Sequence, residues 1–316
     1  MQEAQNLFIS VIIPCFNEEQ VIFHTYERVN KTMQNFQHRG YELIFINDGS
    51  RDKTLEILRA IAQKDLKVKV LSFSRNFGHQ PAVTAGINTC VGDVAIIIDG
   101  DLQDPPELFP EMIKIHLEQN ANVVYGLRGE RKGETFFKKL TAKYFYKTIN
   151  FLSDTALPVD TGDFRLIDKH VIEAFKNLPE KNKYIRGLIS WIGFKQMPIT
   201  YVRDERFAGE TKYPLSKMIK FASTSLLYFS KKPLKLALTI GLVSILVGIG
   251  LAVWVITGLI YRTNSIVPGW ASTIIALIFF GGIQLLTIGV LGEYLGNMFE
   301  EIKNRPEYIV HEKINF

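Results

Sequence analysis

Hydrophobic residues in the first half of the chain occur in short runs separated by longer amphipathic stretches. The runs are rich in Val and Ile and cover residues 8–14, 41–46, 68–73, 94–98 and 122–126. Patterns with helical spacing lie between them, at residues 19–37, 52–63, 80–89 and 106–118. Strands that alternate with helices are joined by right-handed crossovers into a mostly parallel sheet with helices on both faces. We therefore predict an α/β, Rossmann-like domain.

Two later hydrophobic runs have a different character. Residues 236–261 and 268–292 contain no charged side chain. A helix rises about 1.5 Å per residue, so about 20 apolar residues cross the hydrocarbon of a bilayer. Lys, Trp and Tyr lie near the ends of the runs, as they do at membrane interfaces. The pattern predicts a two-helix transmembrane hairpin, and a pair of buried core helices is the alternative.

Charge and cysteine content indicate the compartment. Lys and Arg lie almost entirely on the domain side of the two runs, which by the positive-inside rule places the domain and both termini in the cytoplasm. The polar start of the chain leads directly into a strand and does not resemble a cleavable signal peptide. Cys15 and Cys90 lack metal-binding spacing and fit a reducing compartment. We predict a multi-pass protein of the plasma (inner) membrane.

Two basic segments precede the membrane runs. Residues 211–235 hold six Lys and no acidic residue, and residues 128–147 hold seven basic and two acidic residues. Apolar and basic positions recur with helical spacing in residues 135–152 and 214–230, which is typical of helices at a membrane interface and also of core helices. We expect these segments to hold the active site at the depth of the lipid head groups. No nucleic-acid-binding module is recognisable.

Acidic and amide side chains follow three of the predicted strands. Ligands of such sheets bind beyond the carboxyl ends of the strands, so these residues are candidates for a binding site. They are Pro14, Asn17, Glu18 and Glu19 after the first strand, Asp48 after the second, and Asp99, Asp101 and Gln103 after the fourth. None belongs to a GxGxxG loop or a P-loop, which disfavours dinucleotide binding and P-loop chemistry.

Asp99 and Asp101 are the candidates for a metal site. Residues two apart in an extended strand point to the same side, so both carboxylates can approach one ion and Gln103 can add an amide oxygen. Oxygen ligands of this kind suit Mg²⁺ or Mn²⁺, which in turn bridge to the phosphates of a substrate. The alternative is a turn or a helix cap before Pro105, a role that we assign to Asp104.

Three motifs of the chain, taken in order, carry a family resemblance. Residues 14–18, 47–50 and 99–101 resemble the motifs of family 2 glycosyltransferases, whose catalytic domain has the GT-A fold. Residues 99–106, with Arg75-Asn76-Phe77-Gly78 upstream, are similar to the polyprenyl-phosphate sugar transferases, which include the dolichol-phosphate mannose synthases. The chain most resembles the bactoprenol (undecaprenyl-phosphate) glucosyltransferases. The likeness covers essentially the whole chain, continuing through residues 160–166, 206–212, 291–294 and 304–306.

The resemblance implies an inverting, metal-dependent enzyme that moves one sugar from a nucleotide donor onto polyprenyl phosphate, for use in modifying a cell-envelope glycan. UDP-glucose is the favoured donor, and GDP-mannose, UDP-N-acetylglucosamine and an aminoarabinose nucleotide remain open. A processive polysaccharide synthase and a flippase are disfavoured, because the chain has no QxxRW motif and only two predicted spans. A non-catalytic, membrane-anchored module that binds nucleotide sugars is the less favoured alternative.

The resemblance also assigns roles at the donor side. Mg²⁺ or Mn²⁺ is the expected cofactor, and Asp101 is the residue on which catalysis is expected to depend most. The expected metal ligands are Asp99, Asp101 and Gln103. The residues expected to bind the nucleotide sugar are Pro14, Asn17, Glu18, Glu19, Asp48 and Asp99.

A second set of roles concerns the acceptor. Lys138 stands where the family has an arginine, and Arg131 is the nearby substitute for it. Asp160 or Asp163 is expected to orient the acceptor or to act as a weak base, unless Arg165 simply pairs with Asp163 in a structural contact. The residues expected to bind the acceptor phosphate are Arg128, Arg131, Lys138, Arg206 and Lys212.

The predicted organisation has four parts. Residues 1–213 form the catalytic domain, 214–234 a juxtamembrane helix, 235–293 the two spans, and 294–316 a cytoplasmic tail. Within the tail, residues 306–314 resemble a short strand that returns to the domain. Small residues in the spans permit close packing of helices and therefore a homo-oligomer: Gly241, Gly248, Gly281 and Gly282.

Overall fold

The structure is a computed structural model that describes residues 4–129, 161–181, 183–202, 231–260 and 269–316. Contacts divide the chain into two compact units. One unit contains a β-sheet with its helices and also residues 305–316 from the end of the chain. The other contains two long apolar helices.

The sheet of the first unit has eight strands in the order β7-β5-β6-β4-β1-β2-β3-β8. Strands β1, β2, β3 and β4 are mutually parallel neighbours, and β5 is parallel to β7. Strand β6 is antiparallel to both β4 and β5, and β8 is antiparallel to β3 at the edge. The strands are β1 (Phe8–Cys15), β2 (Gly40–Asn47), β3 (Val68–Phe73), β4 (Val94–Ile97), β5 (Val123–Arg128), β6 (Thr161–Asp168), β7 (Gln196–Tyr201) and β8 (Val310–Ile314).

In the part of the chain that the structure describes, six α-helices accompany the sheet. In β1 and β2 every residue after the first is buried, because helices cover both faces of these central strands. Gly86 lets one helix approach closely, since a Cβ at this position would lie 2.2 Å from Cγ2 of Ile12. The helices are α1 (Ile22–Gln34), α2 (Thr54–Lys64), α3 (His79–Thr89), α4 (Phe109–Gln119), α5 (Lys169–Lys176) and α6 (Ile185–Ile192).

The predicted α/β fold with a mostly parallel sheet is confirmed. The five predicted strands and four predicted helices are all present, and the helix predicted at 106–118 begins as a 3₁₀ turn at Pro106–Leu108 before α4. Strands β6 and β7 were not predicted. In β6 the charged residues Asp163, Arg165 and Asp168 interrupt the apolar residues, so the segment lacks the hydrophobic run by which the other strands are recognised.

Among the described residues, the second unit contains α7 (Lys232–Ile260) and α8 (Trp270–Ile302), which pack against each other. By length and composition the segments Leu234–Trp254 and Ile275–Ile302 could each cross a membrane, with mean hydropathies of 2.6 and 2.2. Most of their side chains are exposed in the chain itself, unlike those of a buried core helix. Helix α8 continues past the predicted end of the second span and through the predicted start of the tail.

The end of the chain packs on the sheet. Strand β8 pairs with β3, and the guanidinium of Arg59 in α2 donates to both carboxylate oxygens of Glu312. The side-chain amide of Asn315 donates, through Nδ2, to the carbonyl oxygens of Ala62 and Val68. The prediction that the tail returns to the domain as a short strand is therefore confirmed.

Candidate active site

The loops that follow β1, β2 and β4 lie at the same edge of the sheet, because these strands are parallel neighbours. The first two loops are joined by a hydrogen bond from the Asp48 amide to the carbonyl oxygen of Cys15, 3.0 Å long. Pro14 lies within β1, opposite Ile46 of β2. The candidate residues of the three motifs therefore share one edge, as the sequence predicts.

The loop after β1 is tied to the loop after β2. Asn17 has a left-handed backbone with φ of 54°, which Asn tolerates better than most residues. Its amide donates to Ser50 Oγ at 3.0 Å, and its side-chain oxygen accepts from the Arg51 amide at 2.8 Å. The Glu19 carboxylate accepts from the Lys53 amide at 3.0 Å, just before α2. Asn17 and Glu19 thus stabilise the loops, and their predicted contacts with a nucleotide stay predictions, as does that of Glu18.

Asp48 holds a further loop, residues 75–78. Its Oδ1 accepts from the Phe77 amide at 2.7 Å, and its Oδ2 accepts from the Gly78 amide at 2.9 Å and from Asn76 Nδ2 at 2.8 Å. Burial raises the pKa of Asp48 despite these hydrogen bonds, which lower it. The next residue, Gly49, has φ of 63°, and a Cβ there would lie 2.3 Å from the backbone of Arg75. The sequence did not predict this supporting role.

The loop after β4 differs from the prediction. The strand ends at Ile97, so Asp99 lies beyond it and Asp101 lies in the turn that follows, and neither is part of an extended strand. Leu102 has a left-handed backbone with φ of 59°, and Asp101 Oδ1 accepts from the Gln103 amide at 3.2 Å. The expectation that strand alternation aligns the three side chains is wrong, because the chain turns before the alternation begins.

Side chains from α1 and β7 anchor this loop. Thr25 Oγ1 donates to the carbonyl oxygen of Gly100 at 2.8 Å, and Arg28 Nη1 donates to that of Leu102 at 3.4 Å. Asp104 is fully buried and accepts from the Tyr201 hydroxyl. The 3₁₀ turn that follows has Pro105 as its N-cap residue, and the predicted role of Asp104 in a turn or cap before it stays a prediction. Asp104 also connects the loop to β7.

The residues present fit a divalent cation. Burial, together with the carboxylates of Asp104, Asp163 and Asp101, raises the pKa of Asp99 to about 6. Negative charge is therefore crowded at this loop, and a divalent cation would offset it. Within the part of the chain that the structure describes, no three His, Cys, Asp or Glu side chains are grouped to hold an ion. The residues therefore fit an ion that is held by Asp99 and Asp101 and whose remaining ligands are substrate oxygens and water, as is common for Mg²⁺.

A cluster of charged side chains surrounds Asp163 on β6. Its Oδ1 accepts from Arg186 Nε at 2.7 Å, and its Oδ2 accepts from Arg186 Nη2 at 3.1 Å and lies 3.0 Å from His79 Nε2. Burial alone would raise the pKa of Asp163, but Arg186 and His79 outweigh it and hold that pKa well below its usual range. Burial would lower the pKa of His79, whereas Asp99 and Asp163 raise it to about 9. Asp163 is therefore ionised near neutral pH and is a weak base.

His79 and Arg186 were not identified from the sequence as site residues. His79 directly follows residues 75–78, which carry the family resemblance. This position is the one feature of the sequence that could have identified it as a site residue. The expectation that Arg165 pairs with Asp163 is replaced by a different contact. Arg165 Nη2 donates to the carbonyl oxygen of Gly162 at 3.0 Å, whereas Asp163 forms its ion pair with Arg186.

The acceptor side is only partly described. Arg128 is the last residue of β5, and its backbone alone is described. The amphipathic segments predicted at 135–152 and 214–230 also lie outside the described residues. The same holds for the remaining predicted acceptor and catalytic residues, Arg131, Lys138, Asp160, Arg206 and Lys212.

The fold and the acidic loops at its carboxyl edge define a protein of the GT-A type. Residues 10–175 match the model of the family described as Glycosyl transferase family 2. The chain belongs to this family, and the protein is a glycosyltransferase.

Relatives extend the likeness to the full length. The chain is 48% identical to the glycosyltransferase YkcC of Bacillus subtilis (strain 168), over 98% of this chain and 95% of that protein. It is 40% identical to the bactoprenol glucosyl transferase of Shigella phage SfII, over 96% and 97% of the two chains. Among solved structures it is similar to the mannosyltransferase PcManGT of Pyrobaculum calidifontis, in complex with GDP-Man and Mn²⁺, with 14% identity, coverage of 94% and 87%, and a TM-score of 0.48.

Proposed function

We propose that the protein is a membrane-bound, inverting glycosyltransferase that moves one sugar from a nucleotide donor onto polyprenyl (undecaprenyl) phosphate. The observation that carries the proposal is the identity of 40% over nearly the whole chain with proteins named bactoprenol glucosyl transferase. The same name favours glucose, with UDP-glucose as its donor. Another donor, such as GDP-mannose, UDP-N-acetylglucosamine or an aminoarabinose nucleotide, is the alternative for the same chemistry.

Asp99 and Asp101 would hold Mg²⁺ or Mn²⁺ at the turn after β4, with Gln103 as a further proposed ligand. The ion would neutralise charge on the departing nucleoside diphosphate. The loop after β1 and the turn at Asp48 would receive the nucleotide, because they lie at the same sheet edge as the metal ligands. The proposed nucleotide contacts are Pro14, Asn17, Glu18, Glu19, Asp48 and Asp99.

The acceptor simplifies the chemistry. A phosphate oxygen is already anionic near neutral pH, so the reaction depends on positioning and electrostatic stabilisation more than on a strong base. The low pKa of Asp163 is compatible with such a reaction. The proposed acceptor-phosphate residues are Arg128, Arg131, Lys138, Arg206 and Lys212, with Asp160 near the reacting carbon.

The proposal places the protein in the inner (plasma) membrane, with α7 and α8 as its spans and the catalytic domain and both termini in the cytoplasm. Its domain boundaries are those predicted above, except that the helix of the second span extends to Ile302. Three of the four glycines named above, Gly241, Gly281 and Gly282, would leave an added Cβ with no described heavy atom within 4 Å, whereas a Cβ at Gly248 would lie 3.4 Å from Cζ of Phe280. This open space supports a homo-oligomer formed through the helices.

The experiment is a transfer assay with the full-length protein in detergent. The protein is incubated with undecaprenyl phosphate, Mg²⁺ or Mn²⁺ and a panel of labelled nucleotide sugars, and a glycolipid product is sought. We expect product, made fastest from UDP-glucose. If no donor gives product, the protein is a non-catalytic module that binds nucleotide sugars.

A matched pair of variants tests the metal assignment. Asp101 follows β4, whereas Asp93 precedes the same strand and accepts from the Phe8 amide. Asp101→Asn is expected to lower the rate of transfer at least about 100-fold, because metal stabilisation is worth several kcal/mol. Asp93→Asn is expected to retain it. Equal rates in the two variants would overturn the assignment.

A further inference from the structure

Three charged side chains from three elements meet beside Asp99. Asp163 comes from β6, His79 is the first residue of α3, and Arg186 is the second residue of α6. The side chain of Asp163 is only 6% exposed, whereas those of His79 and Arg186 are 27% and 30% exposed. The carboxylate therefore lies behind the two nitrogen-bearing groups, and these groups reach the surface of the site.

The contacts of Asp163 suit a residue that positions others. Both of its oxygens are engaged, one by Arg186 and the other by Arg186 and His79. The two parallel bonds to Arg186 fix the plane of the guanidinium as well as its position. His79 Nε2 also lies 3.6 Å from Asp99 Oδ1, so the same carboxylate keeps the imidazole beside the loop after β4.

The local charge favours an anion. Arg186 is acted on by the carboxylates of Asp163 and Asp99 and by the neighbouring Tyr184, and it acts in turn on the buried Arg165 and on His79. If the Asp99 carboxylate binds a cation, the carboxylate of Asp163 alone remains to offset the two arginines, Arg165 and Arg186. The net charge of Asp163, Arg165 and Arg186 is then positive, and it stays positive whether His79 is neutral or protonated. Arginine held in one plane is well suited to recognise phosphate oxygens.

We propose that His79 and Arg186 form a phosphate-binding pair in the active site, held in place by Asp163 as a positioning residue. The identity of the ligand rests on the proposed function, in which both substrates carry phosphate. The oxygens bound belong either to the nucleoside diphosphate of the donor or to the monophosphate of the acceptor. Asp163 then acts through the pair and accepts no proton from substrate.

The test uses the full-length protein in detergent with Arg186→Gln. One arm measures the Kd of UDP with Mn²⁺ by calorimetry, without acceptor. The other measures the KM for undecaprenyl phosphate at saturating donor. At least a tenfold weakening is expected in one arm, since hydrogen bonds to charged groups are the strong ones. Weaker UDP binding assigns the pair to the donor, and a raised acceptor KM alone assigns it to the acceptor. No change in either arm overturns the proposal.

Two comparisons separate positioning from simple loss of structure. Arg59→Gln removes a similar bidentate pair, with Glu312, and is expected to leave both arms unchanged. Asp163→Asn is expected to reproduce the binding defect of Arg186→Gln, with His79→Asn as a second variant if either unfolds. If Asp163→Asn lowers kcat alone, with Kd and KM unchanged, Asp163 acts on the reacting atoms and the proposal fails. If the wild type transfers no sugar, the proposed function fails and the acceptor arm is void. In that case unchanged UDP binding by Arg186→Gln overturns the inference, and weakened UDP binding supports it.

Discussion

Two buried aspartates at the carboxyl edge of the sheet are held in opposite ways. Asp48 accepts from two backbone amides and a neutral side chain, whereas Asp163 is surrounded by Arg186 and His79. Burial prevails at Asp48 and its pKa is raised, but the positive partners prevail at Asp163 and its pKa is lowered. Uncharged hydrogen-bond donors thus fix the loop at residues 75–78 around Asp48. At Asp163, by contrast, the charged side chains of Arg186 and His79 are held by ionic interactions.

This difference distinguishes residues that support the loops from residues that are placed to interact with a ligand. The amide-held half, consisting of Asp48 and residues 75–78, depends on local geometry that a ligand need not alter. The charge-held half, consisting of Asp99, Asp163, His79 and Arg186, depends on electrostatic interactions, which an entering ion or phosphate would alter. Its partners should therefore be coupled energetically, whereas those of Asp48 should act individually.

The largest effect is expected from breaking the charge-held half. Asp163→Leu or Arg186→Met alone should destabilise the protein by about 3–5 kcal/mol, because each breaks a largely buried ion pair and leaves the remaining charge with only Asp99 or His79 opposite it. The double variant should be far less destabilised than the sum, since it leaves neither charge behind. Thermal unfolding of all four proteins in detergent, at one pH, gives the coupling energy. Additive losses would contradict the charge-held description.

Breaking the amide-held half should have a somewhat smaller effect. Asp48→Ala leaves the Phe77 and Gly78 amides without their acceptor, and Asn76 Nδ2 keeps only its 3.3 Å bond to the carbonyl oxygen of residue 48, which together should cost about 3 kcal/mol. Hydrogen exchange at Phe77 and Gly78 should become faster while exchange in β1 is unchanged. Asp93→Ala, which removes an acceptor from the opposite edge, is the control. Unchanged protection at Phe77 would show that Asp48 does not hold the loop.

The amide-held half should also depend on the end of the chain. Tyr308 stacks on Phe73 with ring centroids 4.9 Å apart, and Phe73 meets Phe77 edge-on at 5.8 Å. Tyr308→Ala should therefore destabilise the protein by about 2 kcal/mol and speed exchange at Phe77. Tyr308→Phe keeps the ring and loses only the hydroxyl contact with Asn88, so it should cost less than about 1 kcal/mol. Equal losses for both variants would exclude stacking as the cause.

The smallest expected effect is a difference in pH dependence. The lowered pKa of Asp163 contributes stability that is present above the unfolded value of about 3.9 and is lost as the pH falls through the folded value. The raised pKa of Asp48 contributes stability that is present below about 3.9 and is lost as the pH rises through the folded value.

Melting temperatures between pH 3 and pH 7 give the measurement. The advantage of the wild type over Asp163→Asn should shrink as the pH falls below about 4. Its advantage over Asp48→Asn should grow as the pH falls from 7 to 4. Slopes of the same sign would remove the proposed contrast.

The sequence predicts the strands better than the contacts between them. Strands β1 to β5 are apolar runs and are found directly, and the motif loops fall at the carboxyl edge because the order of strand and helix requires it. The partners of Asp163 were not predictable in this way. His79 is 84 residues away and Arg186 is 23 residues away, and they meet only because β6 is inserted between β4 and β5. No local pattern specifies that strand order.

Strand β8 has a consequence for how the protein is made. Asn315, just after this strand, bonds to Val68 at the start of β3, 247 residues earlier in the chain. Because β8 follows both long apolar helices in the chain, the edge of β3 stays unpaired during synthesis until those helices have left the ribosome. An open strand edge is prone to pair with other chains. The final residues thus make completion of the enzyme's sheet conditional on completion of its membrane-type helices, so a chain ended at Asn304 would lack part of its catalytic fold.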